Sequence, residues 1–134
     1  MKDRYLFKSK RLDNGEWVQG ALLLHDTDAA TIFNQHPADG SLQGFEVDPS
    51  TICQCTGLKD KNNKLIWEND IVKDKNGNLY KAFWQDNYYQ FSWICINSDK
   101  LPIGAKWDLW SFKSFEIEIV GNIFDNKDLL ESEE

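Results

Sequence analysis

The plainest alternation along the chain runs from Tyr88 to Ile96, where Tyr89, Phe91, Trp93 and Cys95 share one side of an extended segment and Gln90 and Ser92 the other. Phe115, Ile117 and Ile119 alternate in the same way with Glu116 and Glu118, which predicts a strand with one wet face that Gly121 ends. Tyr5 and Phe7 alternate with polar neighbours, and after Asn14-Gly15 the pattern resumes from Glu16 to Leu24. That predicts an antiparallel hairpin, since Asn-Gly suits a type I′ turn with positive φ at both central positions. Asn76-Gly77 marks a second hairpin turn, between a strand opening at Ile71-Val72 and the run Leu79 to Trp84. This run is apolar on both faces, so part of it is expected to be covered on both sides. Short strands are also predicted over Ala29 to Phe33 and Thr51 to Cys55. Between Asn34 and Ser50, Pro37, Gly40, Gly44 and Pro49 break any period and predict a long loop, and Asn97 to Lys106 predicts another. Asp86-Asn87 reads as a turn, Asn122 to Leu130 as one short helical turn, and Glu131 to Glu134 as a frayed tail.

No segment shows a convincing amphipathic helical period. Short strands and close turns predict an all-β (mainly β) antiparallel domain, a small barrel or sandwich. At 134 residues the chain has the length of one ordinary domain. Six Trp and eight Phe against one Met predict a core of rigid rings and branched aliphatics. No apolar run has the length of a membrane span, and the opening residues lack the apolar segment of a signal peptide, so a cytoplasmic protein is expected.

Charge changes the picture at the two ends. Glu116 to Glu134 holds seven acids and one base, 1 − 7 = −6 of the net −7, so the acidity is gathered at one terminus rather than spread as in a mimic of nucleic acid. Lys2, Arg4, Lys8, Lys10 and Arg11 form a basic stretch, too small by itself to establish phosphate binding. Three cysteines argue against a disulfide framework. Cys53 and Cys55, two apart on a predicted strand, read as ordinary buried or half-buried thiols rather than metal ligands, because neither His25 nor His36 is placed near them by sequence.

Candidate chemistry is sparse. Nucleophilic catalysis would call on His25 or His36 as base, and acid–base work on Glu68 with Asp70 or Glu116 with Glu118. All of these read as loop, turn or wet-face residues, and no phosphate-cradling loop, nucleotide fingerprint or metal-ligand cluster is present. The aromatic run Trp107-Asp108-Leu109-Trp110-Ser111-Phe112 stands out, because six Trp are more than one small core readily hides. Trp107, Trp110, Trp84 and Tyr88 are the candidate interaction surface.

The stretch Thr56 to Lys73 combines charge, amides and an apolar island. In it Gly57 is expected to end a strand, Asn62-Asn63 to turn a hairpin, Ile66 and Trp67 to anchor inward, and Asn69 to permit a bend. Cys55-Thr56-Gly57-Leu58-Lys59-Asp60-Lys61-Asn62-Asn63-Lys64, then Ile66-Trp67-Glu68-Asn69-Asp70-Ile71-Val72, and Val120-Gly121-Asn122-Ile123-Phe124-Asp125-Asn126 with Leu129-Leu130 resemble the YopX family of phage and prophage proteins. Arg4-Tyr5-Leu6-Phe7, Asn14 to Gly20 and Val47 to Thr51 extend the resemblance over nearly the whole chain. It implies a mainly-β fold whose C-terminal part, from residue 51 to 130, is similar to an SH3-type barrel, after an N-terminal hairpin region and loop over 1–50 and before an acidic tail over 131–134. It brings no activity, cofactor or catalytic residue. Asn63 and Asn69 stand where relatives commonly have Gly, which points to a backbone role at positive φ.

The functional expectation is a phage- or prophage-encoded, non-enzymatic binding module acting on a host or phage protein in the host cell cytoplasm, with no cofactor, no metal and no membrane contact. The alternative is a nucleic-acid-binding accessory protein, since small barrels often host that function and the N-terminal stretch is basic. A hydrolase using Glu68 or Asp70 is a third reading, and pairing between copies through exposed edges is open.

Overall fold

In the computed structural model, which describes residues 2–130, the chain is all-β, with 3₁₀ turns and no α-helix among the described residues. The strands are β1 (Phe7–Lys10), β2 (Trp17–Leu24), β3 (Ala30–Gln35), β4 (Leu42–Val47), β5 (Cys53–Lys59), β6 (Leu65–Trp67), β7 (Asp70–Asp74), β8 (Leu79–Gln85), β9 (Gln90–Asn97), β10 (Lys106–Asp108) and β11 (Ile117–Asn122). They form two compact units, one ending at Cys55 and the other beginning at Thr56, so the junction falls inside β5. All registered pairs are antiparallel, and the sheets are open rather than closed on themselves.

In the first unit the strand order is β4-β3-β2-β1-β5. Ala30, Ile32 and Val47 form a small buried cluster, with Phe7, Val18, Leu22 and Ile52 packed on it. A polar clamp ties β1 to the 3₁₀ turn Pro49–Thr51: the Ser9 and Thr51 hydroxyls lie 2.7 Å apart and each lies 2.8 Å from the Asp48 carbonyl, so one hydroxyl donates to the other and the second donates to the carbonyl. Ser9 is fully buried, so these bonds replace the water it loses.

In the second unit the order is β10-β9-β8-β7-β11, a meander whose last strand returns beside its first, and β6 pairs with the end of β5. Its larger core holds Ile66, Val72, Tyr80, Ala82, Trp93, Cys95 and Ile117, flanked by Trp107 and Phe112. Tyr80 meets Trp107 edge-on at 5.5 Å between centroids and Phe112 at 4.8 Å, so rings fill this space as the composition predicts. All three thiols are free and buried.

Several local expectations are corrected. The predicted loop from Asn34 to Ser50 contains a full strand, β4, paired with β3 from Ala30↔Val47 to Gln35↔Leu42. Gly44 hid its period, and Gly is needed there because an added Cβ would lie 2.7 Å from the Phe33 ring. Gly57 does not end β5 but sits inside it at φ 85°. Tyr89 does not join the face of Phe91, Trp93 and Cys95; it is a left-handed turn residue at φ 52°, just before β9. Phe115 lies in the 3₁₀ turn Ser114–Glu116 and is exposed, so β11 starts only at Ile117. The Asn-Gly hairpins form where predicted, but in each pair only the glycine, Gly15 or Gly77, takes positive φ, so neither turn is type I′. Asn63 and Asn69 do take positive φ, 65° and 74°. The tail over 131–134 lies outside the described residues.

A candidate binding surface at one end of the second unit

The end of the second sheet is built by the β8–β9 hairpin. Gln85 faces Gln90 and Trp84 faces Phe91 across the pair, the two rings meeting edge-on at 5.1 Å. The 3₁₀ turn Asp86–Tyr88 then reverses the chain, closed by Tyr89 donating its N–H to the Asp86 carbonyl at 3.3 Å. A bulky side chain in the left-handed region is uncommon and strained. Tyr89 is nevertheless 82% exposed and Tyr88 67% exposed, so packing does not repay that strain.

Beside β9, β10 pairs through Trp107↔Trp93 and Asp108↔Ser92 before the chain bends through the 3₁₀ turn Leu109–Ser111. The buried Trp93 indole donates Nε1–H to the Leu109 carbonyl at 3.1 Å, which fixes the bend to the core. With its carbonyl held inward, the turn presents Trp110 outward, 79% exposed. Between hairpin end and bend lies a hollow of about 650 Å³ lined by Gln85, Tyr88, Gln90, Lys106, Trp107, Asp108 and Ser111. Its floor is a polar bridge: Gln90 Nε2 donates to Asp108 Oδ1 at 2.6 Å and to the buried Ser92 Oγ at 3.1 Å.

Of the aromatic residues singled out from sequence, Trp84, Tyr88 and Trp110 are exposed here, Trp84 at 41%. Trp107 lines the hollow but is half-buried against the core, so it is mainly scaffold. Sequence reasoning missed Tyr89, whose place in the alternation of β9 disguised a turn residue. It also missed the polar lining, because the register Gln85↔Gln90 and Asp108↔Ser92 is what gathers those side chains.

The residues weighed for catalysis are occupied otherwise. His25 Nε2 lies 2.8 Å from Thr31 Oγ1, but no third group among the described residues orients the ring from Nδ1. His36 Nδ1 accepts the Ala38 N–H within its own turn at 3.1 Å. Asp70 is buried and accepts the Trp67 N–H at 2.8 Å, and Glu116 accepts the Lys113 N–H at 2.7 Å. The basic stretch is engaged as well: the Lys8 and Lys10 ammonium groups sit 4.6 and 5.4 Å from the Trp17 ring, and Arg11 pairs with Asp13 at 2.6 Å. Among the described residues no group of three or more His, Cys, Asp or Glu could hold a metal ion, and no helix is long and apolar enough to cross a membrane.

No curated protein matches the chain at a significant level. The family model described as YopX protein matches residues 6–131, nearly the whole chain, and with the segments that resemble it now placed in the two units, the protein belongs to the YopX family.

Proposed function

We propose that this YopX protein is a non-enzymatic binding module, encoded on a phage or prophage and acting on a host or phage protein in the host cytoplasm. The observation that carries the reading is the set of exposed rings at this end of the second unit, Tyr88 lining the hollow and Trp84, Tyr89 and Trp110 exposed on the hairpin and the turn that supply its other walls. Large rings cost little side-chain entropy when they dock, which is why they dominate interface energetics. His25, His36, Asp70 and Glu116, four of the residues weighed for catalysis, are held in hydrogen bonds of the scaffold, which supports binding over chemistry.

The fold proposal is that β7 to β11 make an SH3-type barrel. Supporting it are the four-strand meander, the 3₁₀ turns Leu109–Ser111 and Ser114–Glu116 before the last strand, and the return of β11 beside β7.

Affinity capture from lysate of the producing bacterium tests the function, comparing the native chain with a Trp84→Ala, Trp110→Ala double variant. A protein retained by the native chain and lost with the variant is expected. Equal retention by both, or retention of nucleic acid that nuclease treatment abolishes, overturns the reading, and the second result selects the nucleic-acid alternative.

A further inference from the structure

Strand β4 is an edge strand of its sheet, and its outer side is covered over only half its length. At the C-terminal half residues 10–12 lie alongside: Leu12 N–H donates to the Glu46 carbonyl at 3.0 Å, and Asp48 N–H to the Lys10 carbonyl at 2.8 Å. That pattern fixes the parity of the strand. The backbone groups of Glu46, Gly44 and Leu42 point outward, and those of Phe45 and Gln43 point toward β3. At Leu42 and Gly44 the outward N–H and C=O groups, four in all, have no partner among the described residues. Natural sheets blunt such an edge with charge, proline or a bulge. The outer edge of β11 is capped, with Lys61 N–H on the Ile117 carbonyl and Asp60 on the Ile119 N–H. The run Leu42-Gln43-Gly44-Phe45, by contrast, carries no charge, no proline and no register shift against β3.

The side chains along this edge complement themselves. Leu42 is 73% exposed. Gly44, on the same face, has no side chain, and the Phe33 ring lies over it, since an added Cβ would stand 2.7 Å from that ring. We infer that β4 pairs antiparallel with β4 of a second copy of the chain, about a two-fold axis at Gln43. Each Leu42 then stands directly opposite Gly44 of the other copy, and the free backbone groups form four hydrogen bonds between the two. Each Leu42 side chain crosses the gap that Gly44 leaves and meets the Phe33 ring, so both leave water. No other register does as much. One centred on Gly44 puts Leu42 opposite Glu46, where Leu12 already lies, and one centred on Leu42 leaves Gly44 facing Gly40 in the β3–β4 turn. The hollow of about 500 Å³ lined by Arg11, Leu12, Asp13, Gly44, Phe45 and Glu46 leaves room for the other copy's turn before Leu42. The pairing uses none of the exposed rings of the second unit and stands apart from the binding-module reading.

The test uses the full chain, light scattering over a concentration series and a cysteine trap. The contact is small and of the transient class, so a monomer is expected at about 1 µM and a dimer at about 1 mM. Leu42→Lys places a charge on the edge and is expected to weaken dimerisation at least about tenfold, while Leu24→Lys, at a side chain 65% exposed in the same unit, leaves it unchanged. Both side chains are exposed, so these variants keep the fold, which circular dichroism checks. The two Gln43 residues face each other across the axis as a pair without backbone bonds, their Cα atoms about 4.5 Å apart and within disulfide reach. Gln43→Cys is therefore expected to give a covalent dimer on mild oxidation. Glu46→Cys, exposed on the same strand but about 20 Å from its own copy, is expected to give none. The three native thiols are buried and do not compete. A chain still monomeric at about 1 mM, a dimer that Leu42→Lys leaves intact, or equal cross-linking of Gln43→Cys and Glu46→Cys overturns the inference. If the lysate capture is lost with Leu42→Lys in that event, the edge takes a strand of another protein instead.

Discussion

Asp60-Lys61-Asn62-Asn63-Lys64 and Asp74-Lys75-Asn76-Gly77-Asn78 are the same turn built twice. In each, the aspartate N–H donates to the carbonyl of the fifth residue and the left-handed fourth residue donates back to the aspartate carbonyl. In each, Oδ1 accepts the N–H of the third and fifth residues, at 2.9 and 3.0 Å in both cases. The turns differ in the other oxygen. Asp60 Oδ2 accepts the Ile119 N–H at 3.0 Å, 59 positions away, and thereby caps the outer edge of β11, where Lys61 N–H also bonds the Ile117 carbonyl. Asp74 Oδ2 stays local, taking the Asn78 amide at 2.9 Å and the Tyr80 hydroxyl at 2.8 Å. One local device thus does two jobs: it blunts a sheet edge that could otherwise recruit another strand, and it anchors the polar tip of a core ring. What a turn does for the fold depends on where its spare lone pairs point.

The comparison breaks most visibly at Asp60. Asp60→Ala strands three backbone donors at a position only 3% exposed, and is expected to cost about 3 kcal/mol in denaturant unfolding, with faster hydrogen exchange at Ile119 as its signature. Asp74→Ala, on a half-buried residue, is expected to cost about 2 kcal/mol and to leave Ile119 exchange unchanged. Equal effects of the two on Ile119 would show that the edge cap is not specific to Asp60.

Acid sharpens the same contrast. Burial pushes the Asp60 carboxyl up, but the N–H donors of Ile119, Lys64 and Asn62 outweigh it and hold the group below its ordinary value of 3.8. Asp74 is likewise raised by burial, then lowered further by Asn78, Tyr80 and Asn76. A carboxylate held low contributes its full stability above the unfolded pKa and loses it as pH falls through the folded one. The difference between native protein and Asp60→Ala is therefore constant near neutrality and shrinks below about pH 4, as unfolding titrations at several pH values would show.

Smaller effects test the rest. Tyr80→Phe removes one charge-assisted bond and is expected to cost about 1 kcal/mol, since Asp74 keeps its other donors. Burial and the neighbouring Asp74 carboxylate together raise the Tyr80 hydroxyl well above its ordinary value, so it remains a donor across the working pH range. Exchanging the fourth residues, Asn63→Gly and Gly77→Asn, is expected to change stability by only about 0.5 kcal/mol, because both residues accept positive φ, whereas Asn63→Ala costs about 1 kcal/mol.

Much of this was legible in the chain. The two turns, the inward anchors Ile66 and Trp67, and the positive φ of Asn63 and Asn69 depend on neighbours within a few residues, and the composition of amides, glycine and rings announces them. Strand β4 and the Tyr89 turn were not legible, because Gly44 breaks the period that Phe33 requires of it and Tyr89 continues a period to which it does not belong. By itself the sequence determined an antiparallel all-β chain, its hairpin turns and its family. Tertiary structure alone decided which oxygen of Asp60 reaches Ile119, which tryptophans lie outside the core, and that Gln85, Gln90, Lys106 and Asp108 share one hollow. The reason is that strand register, which sets all three, follows from pairing between distant segments, and no local run of residues encodes it.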